Sequence, residues 1–456
     1  MIGNTQKEKA MKKFFCVLVS VMFLLTACQD DEPVSKIPSI PMDKMDDNFK
    51  AYLMQNFDLN KDGIISEREA AEVKKMNCSG MRIINLEGIQ YFPNLEELDC
   101  SGNYLYLSID VSRNPKLKKL NCSNSGIIEL DVSKNLSLET LICASDYWLG
   151  RLQSIQINPA LKQLRIINHG MSLLDFSGHQ SLKELYCWGN ELVSLDVSRS
   201  VLEKLFCQPN QVISINANGC TSLKWIFGNG NIELIDCASL EELFLGGLTS
   251  LDVSHSPLLK TLHIYGSTLV DLDLSNNAAL EELYLGDVSI INDLDLSNRK
   301  SLKSFTLSHS IYYIASNYPQ IINLSECTSL ENVNIKNSTS KGVIEHLNLS
   351  GCTALSTLTC TNYSFTELNL NGCSNLSFLD CGQNQLSKLD LSDCPDLLTL
   401  NCSSNRLQPS LDLSMCTTLS EVHCTDNPNL AELILYRNHS IKTLNKDSHT
   451  QLVLAN

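Results

Sequence analysis

Apolar side chains recur in one frame along most of the chain. In LEELDCSGNYL, residues 95 to 105, Leu95, Leu98, Cys100 and Leu105 are separated by polar positions, and Asn103 falls before the last of them. The alternation around Leu98 and Cys100 has the period of a strand buried on one face, and the Gly and Asn that follow mark a turn. The same frame returns as LKKLNCSNSGI from Leu117, LKELYCWGNEL from Leu182, LSFLDCGQNQL from Leu376 and LLTLNCSSNRL from Leu397. Between these copies lies a second short module, written LDVSKN, LDLSNN or LDLSDC. Helical spacing is found near the N-terminus, where Phe49, Tyr52, Leu53 and Phe57 form one apolar side and Ala70, Val73 and Met76 another. The pattern predicts two short amphipathic helices followed by a long series of short strands.

The frame resembles the leucine-rich repeat, LxxLxLxxNxL, with Cys in the third core position, and in particular a short bacterial class of roughly 21 residues. About 18 copies run from about Val73 to Leu444. The resemblance implies an α/β repeat fold, a leucine-rich-repeat solenoid with a parallel β-sheet face, the LDLSxN modules forming turns or short strands on the other side. One repeat cannot bury enough apolar surface to offset the entropy of ordering it, so such an array is stable only when stacked and capped. Copies beginning at Leu223 and Leu240 are short, while those at Leu302 and Leu330 carry insertions that should become surface loops.

Nineteen cysteines would suggest disulfides in an exported protein. Their register argues otherwise. Cys78, Cys100, Cys122, Cys143, Cys187, Cys207, Cys360, Cys381, Cys402 and Cys424 share the inward core position, and Cys220, Cys327, Cys352, Cys373, Cys394 and Cys416 share the last position of LDLSxN. Neighbours in a parallel sheet lie about 4.8 Å apart, more than the roughly 3.8 Å between Cβ atoms that a disulfide prefers. Free thiols packed as small apolar groups are expected. The repeated Asp of LDVS and LDLS is expected to stabilise turns. CxxC, HExxH, GxSxG and phosphate-loop motifs are missing from the sequence, so no catalytic residue is assigned and an enzyme is not expected.

From Met11 the chain reads MKKFFCVLVSVMFLLTAC, a Lys12-Lys13 start, an apolar stretch and small residues before Cys28. This is a signal-peptide layout, and Leu25-Thr26-Ala27-Cys28 resembles the lipobox of bacterial lipoproteins, which implies cleavage and lipidation at Cys28. A polar stretch with Pro33, Pro38 and Pro41 follows, suited to a tether. The resemblance implies an outer-membrane lipoprotein held to the membrane through its lipid anchor, at the cell surface or, alternatively, facing the periplasm.

Residues 58 to 69, DLNKDGIISERE, match the EF-hand loop position by position. Asp58, Asn60 and Asp62 occupy positions 1, 3 and 5, Gly63 the turn, Ile64 the backbone-carbonyl position, Ser66 position 9 and Glu69 the bidentate position 12. A structural Ca²⁺ is expected. No second loop is present to cover the apolar sides of its two helices, so the solenoid is expected to do so. The chain thus divides into a signal peptide at 1–28, a tether at 29–44, an EF-hand-like cap at 45–76 and a solenoid at 77–456.

Outward residues of the LxxLxC strands run through Asn77, Asp99, Asn121, Ile142 and Arg165, then through aromatic residues at Tyr186, Phe206, Phe227, Phe244, His263 and Tyr284, and then through polar ones at Thr306, Asn334, Thr359 and Asp380. Trp188, Trp225 and Tyr265 fall at adjacent outward positions. These nine residues form the candidate ligand-binding face, because contiguous exposed aromatic surface marks interaction sites. The expected partner is a protein or peptide; the alternative is a glycan stacked on the rings, as in a polysaccharide-uptake system. A formal charge of -16 opposes phosphate backbones, so no nucleic-acid partner is expected.

Overall fold

In a computed structural model, residues 39–146, 150–176, 179–211, 214–312, 317–338 and 342–455 are described. The signal peptide, Cys28 and most of the tether lie outside them.

Beyond the N-terminal helices the chain winds as a parallel β-solenoid. One strand from each repeat joins a single eighteen-stranded parallel sheet, from Lys75–Asn77 to Thr443–Lys446, in chain order. The LDLSxN modules give short parallel ribbons on the opposite side, in sheets of two, three, four and three strands. Helix is confined to the N-terminal end and one 3-10 turn at Ile89–Tyr91, so the repeats are β on one side and turns or strands on the other, with no repeat helices among the described residues.

Four stacked rows of side chains explain why each turn of the solenoid closes. Leucines such as Leu98, Leu120, Leu379 and Leu400 are fully buried, with Cys100, Cys122, Cys381 and Cys402 beside them. Seventeen cysteines among the described residues are buried free thiols, and burial pushes those of Cys78 and Cys207 up to about 12. Next comes a row of buried asparagines. Asn405 Nδ2 donates to the carbonyls of Cys381 (2.9 Å) and Cys402 (3.1 Å), and Asn103, Asn190, Asn384 and Asn427 bridge the equivalent pairs. Each asparagine satisfies backbone acceptors that the turn leaves without a strand partner. On the far side, Cys220, Cys327, Cys352 and Cys373 donate Sγ–H to the preceding repeat's carbonyl, where Asn135 and Asn277 use Nδ2 in other copies.

The acidic residues of LDVS and LDLS make Asx turns, as their repetition suggests. Asp110, Asp131, Asp196, Asp252, Asp273 and Asp390 each accept the N–H of the serine two residues on.

The central repeats keep the Asp–Ser turns but lose the core cysteine and the buried asparagine that follows it. After Cys207 and Asn210 the core position becomes Gly228, Leu245, Ile264, Leu285 and Leu307, and the buried asparagine gives way to Leu248, Ser267 and Val288. With no asparagine to turn the chain, the strands lengthen to Thr261–Leu269 and Glu282–Ile290, nine residues each. Gly228 is required at its position, since a Cβ there would lie 2.9 Å from Cys207 Sγ.

Two helices cover the first repeats. Helix α1, Asp47–Phe57, is capped by Asp46 and buries Phe49, Tyr52 and Leu53. Helix α2, Glu67–Glu72, opens with a capping box between Ser66 and Glu69. Tyr52 Oη accepts the N–H of Asn77 at 2.9 Å, and Phe57 packs on Phe92, so α1 is fixed to the start of the sheet.

Candidate binding face

The outward column of the central strands brings most of the predicted residues into one continuous row. Tyr186, Phe206, Phe227, Phe244, His263 and Tyr284 are directly paired strand to strand. Consecutive ring centroids lie 4.8 Å apart at Tyr186–Phe206, 6.0 Å at Phe206–Phe227, 6.2 Å at Phe227–Phe244, 4.7 Å at Phe244–His263 and 5.3 Å at His263–Tyr284. Trp225 joins from the flanking column, 3.7 Å from Phe206, and Tyr265 packs on Tyr284 at 5.3 Å. Trp188 lies past the end of its strand and takes part in none of these ring contacts. Stacking leaves every ring half-buried, where the sequence alone suggested full exposure.

Most polar residues on either side of this row have a structural cause. Asn77, Asp99, Asn121, Asp380 and Asn401 each accept the N–H two residues on, ending their strands in Asx turns. An aromatic ring cannot do this, and it replaces the polar residue in the region that contains the longer strands. Gly286 makes room: a Cβ there would meet the Tyr284 ring at 2.5 Å.

Carboxylates line one margin. Tyr186 Oη donates to Glu184 at 3.2 Å, Trp225 Nε1 to Glu242 at 3.1 Å, and His263 Nε2 meets Glu282 at 3.0 Å while its Nδ1 faces Tyr265 Oη at 3.1 Å. At the N-terminal end the Arg165 guanidinium lies 4.4 Å over the Tyr186 ring.

The residues expected to hold Ca²⁺ are also close together, bonded to the loop backbone and to one another. Asp58 accepts the N–H groups of Asp62 and Gly63, and Asp62 that of Ile64. Asn60 Nδ2 reaches Asp62 at 2.8 Å. Glu69 accepts Leu59 N–H across the loop through one oxygen and Ser66 N–H and hydroxyl through the other. The Ser66 N–H holds its carboxyl below the usual range. Among the described residues no three carboxylate, imidazole or thiol side chains converge into a ready cation site. Ile65, between Ile64 and Ser66, is fully buried, and its carbonyl accepts Ile40 N–H at 3.0 Å while Ser39 bridges Ser66. The end of the tether therefore lies against the loop as a short antiparallel partner.

One thiol meets an imidazole: Cys143 Sγ lies 3.6 Å from His169 Nε2, beside a cavity of about 270 Å³. His169 Nδ1 receives Leu152 N–H and Nε2 faces the Cys143 carbonyl at 3.0 Å, so the imidazole is held by backbone on both sides. The pair is a packing contact. Sequence register missed it because His169 stands outside the LxxLxC frame.

No protein-family description and no curated protein matches the chain. Among solved structures it is similar to the functional domain of InlJ from Listeria monocytogenes, which includes a cysteine ladder. They share 22% identity over 87% of this chain and 80% of that one, with a TM-score of 0.57. YopM from Yersinia enterocolitica aligns at 18% identity over 84% and 92%, TM-score 0.46. The fold defined by these repeats is a leucine-rich-repeat-type parallel β-solenoid. The likeness to InlJ is one of fold.

Proposed function

We propose that this chain is a surface-exposed lipoprotein that binds a protein or peptide partner across the row from Tyr186 to Tyr284. The observation that carries this reading is the contiguity of eight aromatic rings on one sheet face, bordered by hydrogen-bonding carboxylates. Solenoid sheets offer extended binding surfaces, and packed aromatic clusters with polar margins are typical anchors of protein recognition. Lipidation at Cys28 would be its attachment to the membrane. A structural Ca²⁺ fits the all-oxygen donor set of Asp58, Asn60, Asp62, the Ile64 carbonyl, Ser66 and Glu69.

Replacing Phe206, Phe227 and Phe244 together by Ser tests the face. Each loss of stacking costs about 1 kcal/mol, so the circular dichroism of the solenoid is expected to persist at a somewhat lower melting temperature. Proteins crosslinked to the wild-type chain on cells should be lost with the variant. Identical crosslinking profiles would overturn the reading, and retention of a glycan on an array by wild type alone would move it to the glycan class.

A further inference from the structure

The charges around the row point to the chemistry of what it takes. One column outward, lysines and glutamates alternate and neutralise each other: Lys183–Glu203, Lys260–Glu241 and Lys303–Glu281 pair at 2.7 Å. Glu184, nearer the rings, is met by Lys204 at 3.5 Å. Glu242 and Glu282 are different. Both are exposed, and among the described residues neither pairs with a lysine or arginine; each meets a ring nitrogen instead, Trp225 Nε1 or His263 Nε2. They stand on alternate strands beside Phe227, Phe244, His263 and Tyr284. The opposite margin, Gln208, Asn229, Gly246, Tyr265 and Gly286, carries no charge.

The chain already places one cation on this surface. Arg165 lies over the Tyr186 ring at 4.4 Å, at the N-terminal end of the row, where no further ring follows. Aromatic faces attract guanidinium groups, a planar guanidinium stacks better than an ammonium, and a nearby carboxylate can accept its N–H donors. Resting on the binding role proposed above, we infer that the partner presents arginine side chains that stack on the Phe227–Tyr284 part of the row and donate to Glu242 and Glu282, repeating the Arg165–Tyr186 contact. A peptide running across the strands would meet these two carboxylates, two strands and so about 10 Å apart.

Titration of the protein with octa-arginine, octa-lysine and cellohexaose tests this, read by calorimetry and by intrinsic tryptophan fluorescence, with W225F identifying the share of Trp225. Octa-arginine is expected to bind several-fold more tightly than octa-lysine. E242Q together with E282Q should weaken it about tenfold, while Gln retains an acceptor for the ring nitrogens. F227S should weaken it as well, and matched melting curves for E242Q/E282Q and wild type would establish that folding is intact. Equal affinities for the two peptides, unchanged in E242Q/E282Q, would mean attraction to the net charge of -16 and would overturn the inference, as would binding of cellohexaose alone. If crosslinking to a partner is lost in the triple Ser variant but kept in E242Q/E282Q, the binding face stands and the arginine inference falls.

Discussion

At the residue scale, the buried asparagines explain more of the architecture than the more conspicuous cysteines. Cysteine in the core row is a small apolar side chain that Leu or Ile replaces in the central repeats without breaking the stack. Asn405 is different: its amide serves the carbonyls of Cys381 and Cys402, and its Oδ1 accepts Leu386 N–H at 3.0 Å. N405A is expected to destabilise the protein by about 2 kcal/mol, because buried polar backbone groups lose their partners. Urea unfolding checks this, and a change within about 0.5 kcal/mol would remove the asparagine from the account. The cysteine register was legible in the sequence because ten copies repeat it at the same core position. The Asx turns at Asn77, Asp99 and Asn401 were not, since an outward Asn in a strand looks like a solvated residue until its acceptor geometry is known.

At the scale of elements, the two N-terminal helices were predicted from apolar spacing, but their arrangement required a partner the pattern did not reveal. The apolar sides of both call for cover by the solenoid, and α1 does lie on it, through Tyr52 and Phe57. The loop between them has a separate partner in Ser39 and Ile40, because an isolated residue such as Ile40 has no periodicity to read. If the loop holds Ca²⁺ as proposed, the ion adds RT ln(1 + [L]/Kd), about 2.7 kcal/mol at 100 times Kd. Adding calcium to chelator-treated protein should therefore raise the melting temperature, and E69Q should remove that shift. Calcium-independent melting of the wild type would count against the ion and leave Ser66 and Glu69 as a helix cap.

For the whole molecule, repetition made the solenoid legible: a frame seen in about 18 copies predicted the eighteen-stranded parallel sheet. Repetition also concealed the change in the middle, where the loss of Asn and Cys lengthens strands, a consequence of three-dimensional capping. The array should respond to acid as a unit. Asp110, Asp131, Asp196, Asp252, Asp273 and Asp390 are held below their ordinary 3.8 by the hydroxyl and N–H of the serine two residues on. A depressed folded-state value stabilises above the unfolded value and is lost as pH falls through the folded one. The melting temperature should thus be flat in this respect above pH 5 and drop below about pH 4, which a calorimetric pH series would reveal; a flat profile down to pH 2.5 would exclude the Asx turns as contributors. The contact of Ile40 with Ile65 has a mechanical meaning as well. Tension applied to the chain ahead of Ser39 would enter the described fold at the Ile40–Ile65 hydrogen bond, ahead of the first sheet strand at Lys75–Asn77.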